Sequence, residues 1–188
     1  MRFGEMLAEV NGLRKKGFKR WYFAKGMSFL DAGQWWGRQG RRGTPHEGVD
    51  FLFYETRAGG RAELSAGTLV PAALDGEVAA VHGDFLGLTV WLRHTIANAP
   101  ARSLYSVYGH LSTELLVAVG AQVQAGAIIG SVADPCLAGK KIAPHLHLSA
   151  VLVRSAIAPL ALDWSLVQKP ELAELVDPHS LHEFGGES

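Results

Sequence analysis

The stretch PHLHLSAVLV at residues 144–153 combines a strand-like apolar run with two histidines one residue apart. Side chains at positions i and i+2 of a β-strand lie on the same face, so a strand here presents His145 and His147 in the same direction. Burying an imidazole is costly unless something binds it, and neutral imidazole is the commonest protein ligand for metal ions. The stretch therefore predicts a β-strand that carries two metal-competent side chains in an apolar setting.

Further apolar or alternating segments recur between turn residues through the middle of the chain. The predicted strands cover residues 49–54, 68–73, 77–82, 88–94, 104–110, 127–132 and 145–153. Short strands at this spacing, separated by turns with Gly and Asp, predict an all-β fold with a mainly antiparallel, sandwich- or barrel-like core. Two segments, 70–78 and 119–130, resemble the sequence marks of lipoyl- and biotinyl-type β-barrels, which describe architecture more than chemistry.

The two ends of the chain have a different character. Weak helical spacing predicts a short N-terminal helix over residues 5–16, with short strands at 18–23 and 27–30 after it. Prolines and acidic residues near the C-terminus predict a mostly irregular or helical tail with a helix near residues 170–176. The predicted domains are an N-terminal helix and short strands that pack on the core (1–36), a β-rich domain (37–158) and an acidic C-terminal tail (159–188).

Composition and charge exclude several classes of protein. The chain has 188 residues, of which 48% are hydrophobic, and a formal net charge of +0, which argues against a general nucleic-acid binder. Residues 1–44 are basic and residues 160–188 are acidic, so either the two ends pack together or the basic end meets an anionic surface. Cys136 is the sole cysteine and excludes a disulfide within the chain.

No segment approaches the roughly 18 consecutive apolar residues of a membrane span, and residues 1–16 lack the apolar run of a secretory signal. The sequence leaves both the compartment and the oligomeric state open.

The sequence HEGVD at residues 46–50 is a second candidate metal-binding fragment. In an extended strand His46 and Asp50 would lie about 13 Å apart, too far to share one metal ion. Because Gly48 and the β-rich setting argue against a helix, we expect a bend at Gly48 that brings the two side chains together.

Two ligands from this bend and one histidine of the 145/147 pair would form a His₂Asp set. Three protein ligands leave one coordination position for water, which is typical of catalytic zinc sites. The other histidine of the pair would face that water together with His110, which lies in the fragment YGHL at residues 108–111. The three fragments together predict metal-assisted hydrolysis.

In order and spacing, the three fragments resemble the LytM/lysostaphin-type peptidoglycan metalloendopeptidases of family M23, over residues 37–149. The resemblance implies a zinc metalloendopeptidase with one Zn²⁺ per chain that hydrolyses peptide bonds in bacterial peptidoglycan cross-links. It implies His46, Asp50 and His147 as zinc ligands, and His110 and His145 as catalytic histidines beside the reacting water and the substrate carbonyl. It also favours a cell-envelope location, periplasmic or extracellular, and a peptidoglycan peptide rather than a specific nucleic acid as the partner.

The chain departs from the family pattern in two loops. Residues 135–143 replace the usual Gly/Ser/Thr-rich loop, and residues 55–63 read as an inserted polar loop. Since such loops wall the substrate groove, the bond specificity is left open.

Two other functions fit parts of the sequence. One is a non-enzymatic, zinc-retaining module of the same architecture that binds wall peptides or a partner protein. The other is a carrier domain modified on histidine or lysine, but the turn at residues 125–126 has no lysine, and a carrier leaves His46 and Asp50 unexplained.

Other side chains near these fragments have more than one interpretation. Glu47 resembles the base of other zinc proteases, but in an extended segment it would point away from its neighbour His46. A group of tryptophans and arginines indicates either structural packing or a surface for sugar or nucleic acid: Trp21, Trp35, Trp36, Arg38, Arg41 and Arg42.

Overall fold

The chain folds into antiparallel β-sheets with short helices near both ends. The computed structural model describes residues 1–37, 40–96, 101–154 and 157–185. In these residues, helices α1 (Phe3–Val10) and α2 (Trp164–Val167) accompany strands β1 (Phe18–Tyr22), β2 (Gly48–Phe51), β3 (Phe53–Thr56), β4 (Arg61–Glu63), β5 (Leu69–Pro71), β6 (Gly76–Gly83), β7 (Leu88–His94), β8 (Arg102–Leu111), β9 (Gln122–Val123), β10 (Ile128–Ser131), β11 (Leu146–Arg154) and β12 (Ala173–Val176). The prediction of an all-β fold is confirmed. None of the described helices is long and apolar enough to cross a membrane.

Strand β11, which contains the predicted histidine pair at its start, has partners along both edges. It lies in a seven-stranded sheet with the order β12-β11-β8-β7-β6-β9, and β2 also pairs with β11. Strand β8 follows one edge of β11, whereas β2 and β12 pair with successive halves of the other edge, at residues 146–149 and 150–153. Two smaller sheets have the orders β1-β3-β4 and β10-β5.

Both faces of the seven-stranded sheet are buried, because alternate side chains along its strands enter two different cores. The larger core contains Val78, Val90, Leu104, Tyr108 and Leu148 of the sheet with Phe3 and Leu7 of α1. The second core contains Ala79, Trp91, Tyr105, Val107, Val151 and Val153 of the sheet with Leu162, Leu166, Val167 and Ala173 of the C-terminal segment. The C-terminal segment thus covers an apolar face of the sheet. The domain boundaries expected near residues 36 and 158 stay predictions.

The N-terminal helix is shorter than the sequence indicates. Gly12 has a left-handed φ of 60° and separates α1 from a 3₁₀ turn at Leu13–Lys16, so the prediction of one helix over residues 5–16 is wrong in its extent. Asn11 then ties the end of α1 to β5. Its Nδ2 donates to the carbonyls of Leu7 and Leu69, at 2.9 and 2.8 Å, and its Oδ1 accepts from the Leu69 N–H at 2.8 Å.

The two ends of the chain are in contact. The His179 ring, in the 3₁₀ helix Pro178–Glu183, meets the ring of Phe23 edge-on at a centroid distance of 5.3 Å and that of Phe51 at 6.3 Å. Of the two alternatives for the uneven charge, this packing supports the one in which the ends meet.

Two further predictions of local structure are wrong. The helix expected near residues 170–176 is instead strand β12, because the edge of β11 beyond Ser149 offers backbone groups that only another strand can pair. The inserted loop expected at 55–63 contains the hairpin of β3 and β4, in which Phe53 lies opposite Glu63.

The strand expected at residues 27–30 is a series of turns. Its backbone still pairs with the segment that contains HEGVD: the Leu30 N–H donates to the His46 carbonyl at 2.8 Å, and the Asp50 N–H donates to the Met27 carbonyl at 2.9 Å. This pairing is too irregular to form a strand, but it holds residues 27–30 against the HEGVD segment as strand pairing would.

A buried polar network crosses the larger core. His94 Nδ1 donates to the Asp75 carbonyl at 2.8 Å, so its Nε2 accepts from the Ser106 hydroxyl at 2.7 Å. Ser106 is hydrogen-bonded to the Tyr108 hydroxyl at 2.9 Å, which accepts from the Ala73 N–H at 2.7 Å. Burial lowers the pKa of His94 and raises the pKa of Tyr108 to about 12, so both groups are neutral near pH 7. The network satisfies polar groups that the surrounding apolar side chains cannot.

The Tyr108→Phe variant should lose about 1–3 kcal/mol of unfolding free energy, because it leaves the buried Ala73 N–H without an acceptor. Urea unfolding measures the loss. Tyr22→Phe is the control, since Tyr22 lies near the surface under the Arg61 guanidinium and a phenyl ring keeps that contact. Equal stability of Tyr108→Phe and wild type would contradict the network.

Candidate metal centre

The register of the sheet brings Asp50 next to His147. Strand β2 pairs with β11 so that Asp50 lies directly opposite His147, and Gly109 of β8 lies on the other side of His147. Opposite residues of an antiparallel pair have neighbouring side chains. Asp50 Oδ1 accordingly lies 2.8 Å from His147 Nδ1.

His46 reaches the same point from the turn before β2. The His46 N–H donates to the Asp31 carbonyl at 3.0 Å, and the ring Nδ1 lies 3.2 Å from the Ser28 carbonyl, to which it donates. Nε2 is therefore the free ring nitrogen. It lies 3.2 Å from His147 Nδ1 and 3.3 Å from Asp50 Oδ1.

Gly48 has a different role from the one expected. The bend that brings His46 and Asp50 together lies at Glu47, whereas Gly48 has no positive φ and is the first residue of β2. A Cβ at this position would lie 2.6 Å from Ser149 Oγ, 2.8 Å from His147 Nε2 and still closer to the Leu148 carbonyl oxygen. Glycine is required because β2 approaches β11 too closely for any side chain.

Three acceptor atoms thus converge at one buried point: His46 Nε2, His147 Nδ1 and Asp50 Oδ1. Their lone pairs repel one another unless a proton or a cation lies among them, and two imidazoles with a carboxylate form a set that binds divalent metal ions. Burial raises the pKa of Asp50, but contacts with His147 and His46 lower it by more, so the carboxylate stays ionised. Among the residues that the structure describes, these three form the one group of side chains placed to hold a metal ion.

His145 and His110 lie beside this cluster with their rings 4.8 Å apart. His145 Nδ1 donates to the Ala143 carbonyl at 2.9 Å, which leaves Nε2 as the acceptor. Burial lowers the pKa of His145 to about 4, so the ring is neutral near pH 7. His110 has a left-handed φ of 65°, a strained conformation for a residue with a Cβ. The structure therefore brings all five predicted site residues together.

Asp84 holds His110 and was not found from the sequence. Its Oδ1 lies 3.2 Å from His110 Nδ1, and its Oδ2 accepts from the His110 N–H at 2.8 Å. Burial raises the pKa of Asp84, and the contacts with His110 lower it by more. Thr89 Oγ1 donates to Asp84 Oδ2 at 2.9 Å and accepts from Trp164 Nε1 at 3.1 Å. In the sequence Asp84 is part of an ordinary Gly-Asp turn signal, so nothing local marks this role.

Three aromatic and basic residues of the N-terminal half also reach the site. Trp35 Nε1 donates to Asp50 Oδ2 at 2.6 Å, and Arg42 Nη2 lies 3.3 Å from the same oxygen. Trp36 stacks with the Arg42 guanidinium at 4.4 Å. Trp21 instead donates to the Gly4 carbonyl within the core, and Arg38 lies outside the described residues. The sequence named this group but did not link it to Asp50.

Asp50 and His147 of the cluster lie on the wall of a cleft with a volume of about 360 Å³. The lining contains Trp36, Arg42, Glu47, Asp50, Asp84, Phe85, His110, Ile142, His145, His147 and Trp164. Glu47 lines this cleft and lies at a bend, so the expectation for an extended segment does not apply. Cys136 is exposed and is not a member of the metal-competent cluster.

Comparisons with known proteins identify the family and the fold of the chain. A model of peptidase family M23 matches residues 44–159, more than half of the chain. No curated protein matches. The solution structure of lysostaphin has 23% sequence identity and a TM-score of 0.50, covering 96% of this chain, and the chain spans 55% of the lysostaphin chain. At this identity the likeness shows a shared fold.

Two other solved structures are similar at lower TM-scores. A variant of the catalytic domain of the prophage-encoded M23 protein EnpA from Enterococcus faecalis has 22% identity and a TM-score of 0.42, over 76% of this chain and 96% of its own. The M23 metalloprotease pseudoalterin, from the deep sea, has 20% identity and a TM-score of 0.39, over 75% of this chain and 73% of its own.

The Gly48→Ala variant should lose about 1–3 kcal/mol of unfolding free energy or more, because the new methyl group must displace the backbone of β11. Denaturant unfolding in the presence of a chelator measures the loss without a contribution from metal. Gly60→Ala is the control and should be close to wild type, since the nearest atom to its Cβ lies 3.7 Å away. If both variants are equally stable, β2 does not pack on β11 in this register.

Proposed function

The chain belongs to peptidase family M23, and on that premise we propose that it is a zinc-dependent metalloendopeptidase that cleaves peptide bonds in bacterial peptidoglycan cross-links. The observation that carries the proposal is the convergence of His46 Nε2, His147 Nδ1 and Asp50 Oδ1, with separations of 2.8–3.3 Å. Tetrahedral zinc with bonds of about 2.0–2.1 Å separates its ligand atoms by about 3.3 Å. The donor set therefore fits zinc in both chemistry and size.

When bound, zinc supplies a Lewis acid that polarises a carbonyl group and activates a water molecule. Three protein ligands, rather than four, favour such a catalytic site over a structural one. His46 and His147 each have their second ring nitrogen beside an oxygen, at 3.2 Å from the Ser28 carbonyl and 2.8 Å from Ser149 Oγ. These contacts keep the ligand nitrogens directed at the cluster.

His145 and His110 are the proposed catalytic residues. In each ring Nδ1 donates to a fixed acceptor, the Ala143 carbonyl for His145 and Asp84 Oδ1 for His110. Nε2 is thus the atom through which each ring can accept or donate a proton. The two histidines share proton transfer and stabilisation of the developing oxyanion, without a division of the two roles between them.

The substrate and the location follow from the family resemblance. A cleft of about 360 Å³ with Trp36, Phe85 and Trp164 on its walls suits a segment of peptide. A peptidoglycan peptide as the substrate and the cell envelope as the site of action are parts of the proposal, as is the activity of the whole protein. The alternative is a zinc-retaining binding module. Such a module has no need of His110, so it leaves the contact between Asp84 and His110 without a role.

The wild-type protein should contain one equivalent of zinc by elemental analysis, and Asp50→Ala and His147→Ala should lose it. His110→Ala should retain zinc while the release of soluble fragments from purified peptidoglycan falls by about 10²–10⁴-fold, because only the proton-transferring group is removed. A chelator should abolish the release, and added zinc should restore it.

A metal-free wild-type protein, or full activity of His110→Ala, would overturn the proposal. Co-sedimentation with peptidoglycan without any release of fragments would favour the binding module instead.

Asp84→Asn should retain zinc and lower kcat by about 10–100-fold with little change in KM, because an amide cannot hold the His110 ring as a carboxylate does. Asp177→Asn is the matched control: Asp177 accepts a backbone N–H bond from His179 at 2.9 Å and is not among the residues that line the cleft. Equal kcat values for the two variants would show that Asp84 does not position His110.

A further inference from the structure

We propose that Trp35 and Arg42 are positioning residues for Asp50. They hold its carboxylate so that only one oxygen is offered as a ligand, and they thereby set the affinity of the site for zinc. This proposal rests on the proposed function, since it requires that the cluster bind zinc. It assigns a role in metal binding to the segment before HEGVD.

The two oxygens of Asp50 have separate environments. Oδ1 faces the cluster, at 2.8 Å from His147 Nδ1 and 3.3 Å from His46 Nε2. Oδ2 points to the opposite side, where it accepts a hydrogen bond from Trp35 Nε1 at 2.6 Å and lies 3.3 Å from Arg42 Nη2. With Oδ2 bonded in this way, the carboxylate cannot rotate to offer both oxygens to one metal ion.

Trp35 is itself held in place by its neighbours. Its ring meets the His145 ring edge-on at a centroid distance of 4.8 Å and the Trp36 ring at 5.6 Å. The indole N–H is neutral, so its bond to Oδ2 orients the carboxylate without placing a charge beside the metal ion. Trp35 is therefore the side chain whose removal tests orientation alone.

Arg42 fastens the segment around Trp35 to the site. Besides approaching Asp50, its guanidinium donates to the carbonyls of Gly33 and Gly26, at 3.1 and 3.0 Å. Its side chain is only 14% exposed, so the ion pair with Asp50 is largely shielded from water. A charge this well shielded, with three acceptors around it, has little freedom to move.

Asp31 completes the frame. Its Oδ2 accepts from the Gly26 N–H and its Oδ1 from the Gly33 N–H, each at 2.7 Å. The carbonyls of the same two glycines accept hydrogen bonds from Arg42. Asp31 and Arg42 therefore hold the backbone at Gly26 and Gly33 together. Trp35 lies two residues after Gly33, and its indole N–H is directed at Asp50.

The test is the zinc dissociation constant of the full chain, measured by competition with a chromogenic chelator. Trp35→Phe should raise this constant by about 10–100-fold, because partners that orient a ligand usually change metal affinity by that factor. Trp21→Phe is the matched control and should leave the constant unchanged, since it also removes an indole N–H bond to oxygen, at 2.8 Å from the Gly4 carbonyl. Thermal unfolding of the zinc-free proteins reports the purely structural cost of each substitution.

The positioning role is overturned if the wild type binds one zinc ion and Trp35→Phe binds zinc as tightly as Trp21→Phe does. The proposed function is then left intact. A wild type that binds no zinc overturns the proposed function itself. A loss of zinc-free stability in Trp35→Phe with no change in the dissociation constant means that Trp35 only supports the fold, which also overturns the proposal.

Arg42→Lys provides a second variant for the case in which Trp35→Phe does not fold. It keeps the positive charge but offers its donors from one nitrogen instead of a planar fork, so a weaker affinity for zinc reports geometry rather than charge. Its control is Arg41→Lys, at the exposed neighbouring position. A severalfold weaker affinity in Arg42→Lys alone supports the proposal, and equal affinities in the two variants overturn it.

Discussion

The antiparallel pairing of β2 with β11 is the constraint on which the rest of the site depends. It sets Asp50 opposite His147 and gives their side chains the same direction. A slip of one residue would turn Asp50 to the other face of the sheet. The close approach is possible only because Gly48 has no side chain to meet the Leu148 carbonyl. Packing of two backbones thus sets the distance between two acceptor atoms.

Fixed acceptors around the cleft decide which ring nitrogen is free in His46, His110 and His145. They come from three separate parts of the chain: Ser28, Asp84 and Ala143. Because a carbonyl or carboxylate oxygen can only accept, it selects the protonated nitrogen of the ring next to it. The surrounding structure therefore selects one protonation pattern for these rings.

Segments far apart in sequence form the walls of this site. Residues 27–31 pair with the HEGVD turn, and the loop that contains Trp35 and Arg42 contacts the outer side of Asp50. From the C-terminal side, Trp164 packs on the His147 ring at a centroid distance of 5.2 Å and bonds Thr89. The regions outside the central β-rich stretch thus contribute side chains to the cleft, and they also shield the cores from solvent.

The sequence by itself determined the β-rich fold and the five residues of the candidate site. Alternation of apolar residues reports strands, and imidazole and carboxylate side chains in three short fragments report their chemistry, because both signals are local. Only the tertiary structure decided that residues 173–176 form a strand, that Gly48 serves close packing rather than a bend, and that Asp84, Trp35 and Arg42 hold the histidine and the carboxylate. These roles depend on which backbone segments become neighbours in the fold. Asp84 and His110 are 26 positions apart in the chain, and the residues around Asp84 in the sequence do not indicate that His110 will be its partner.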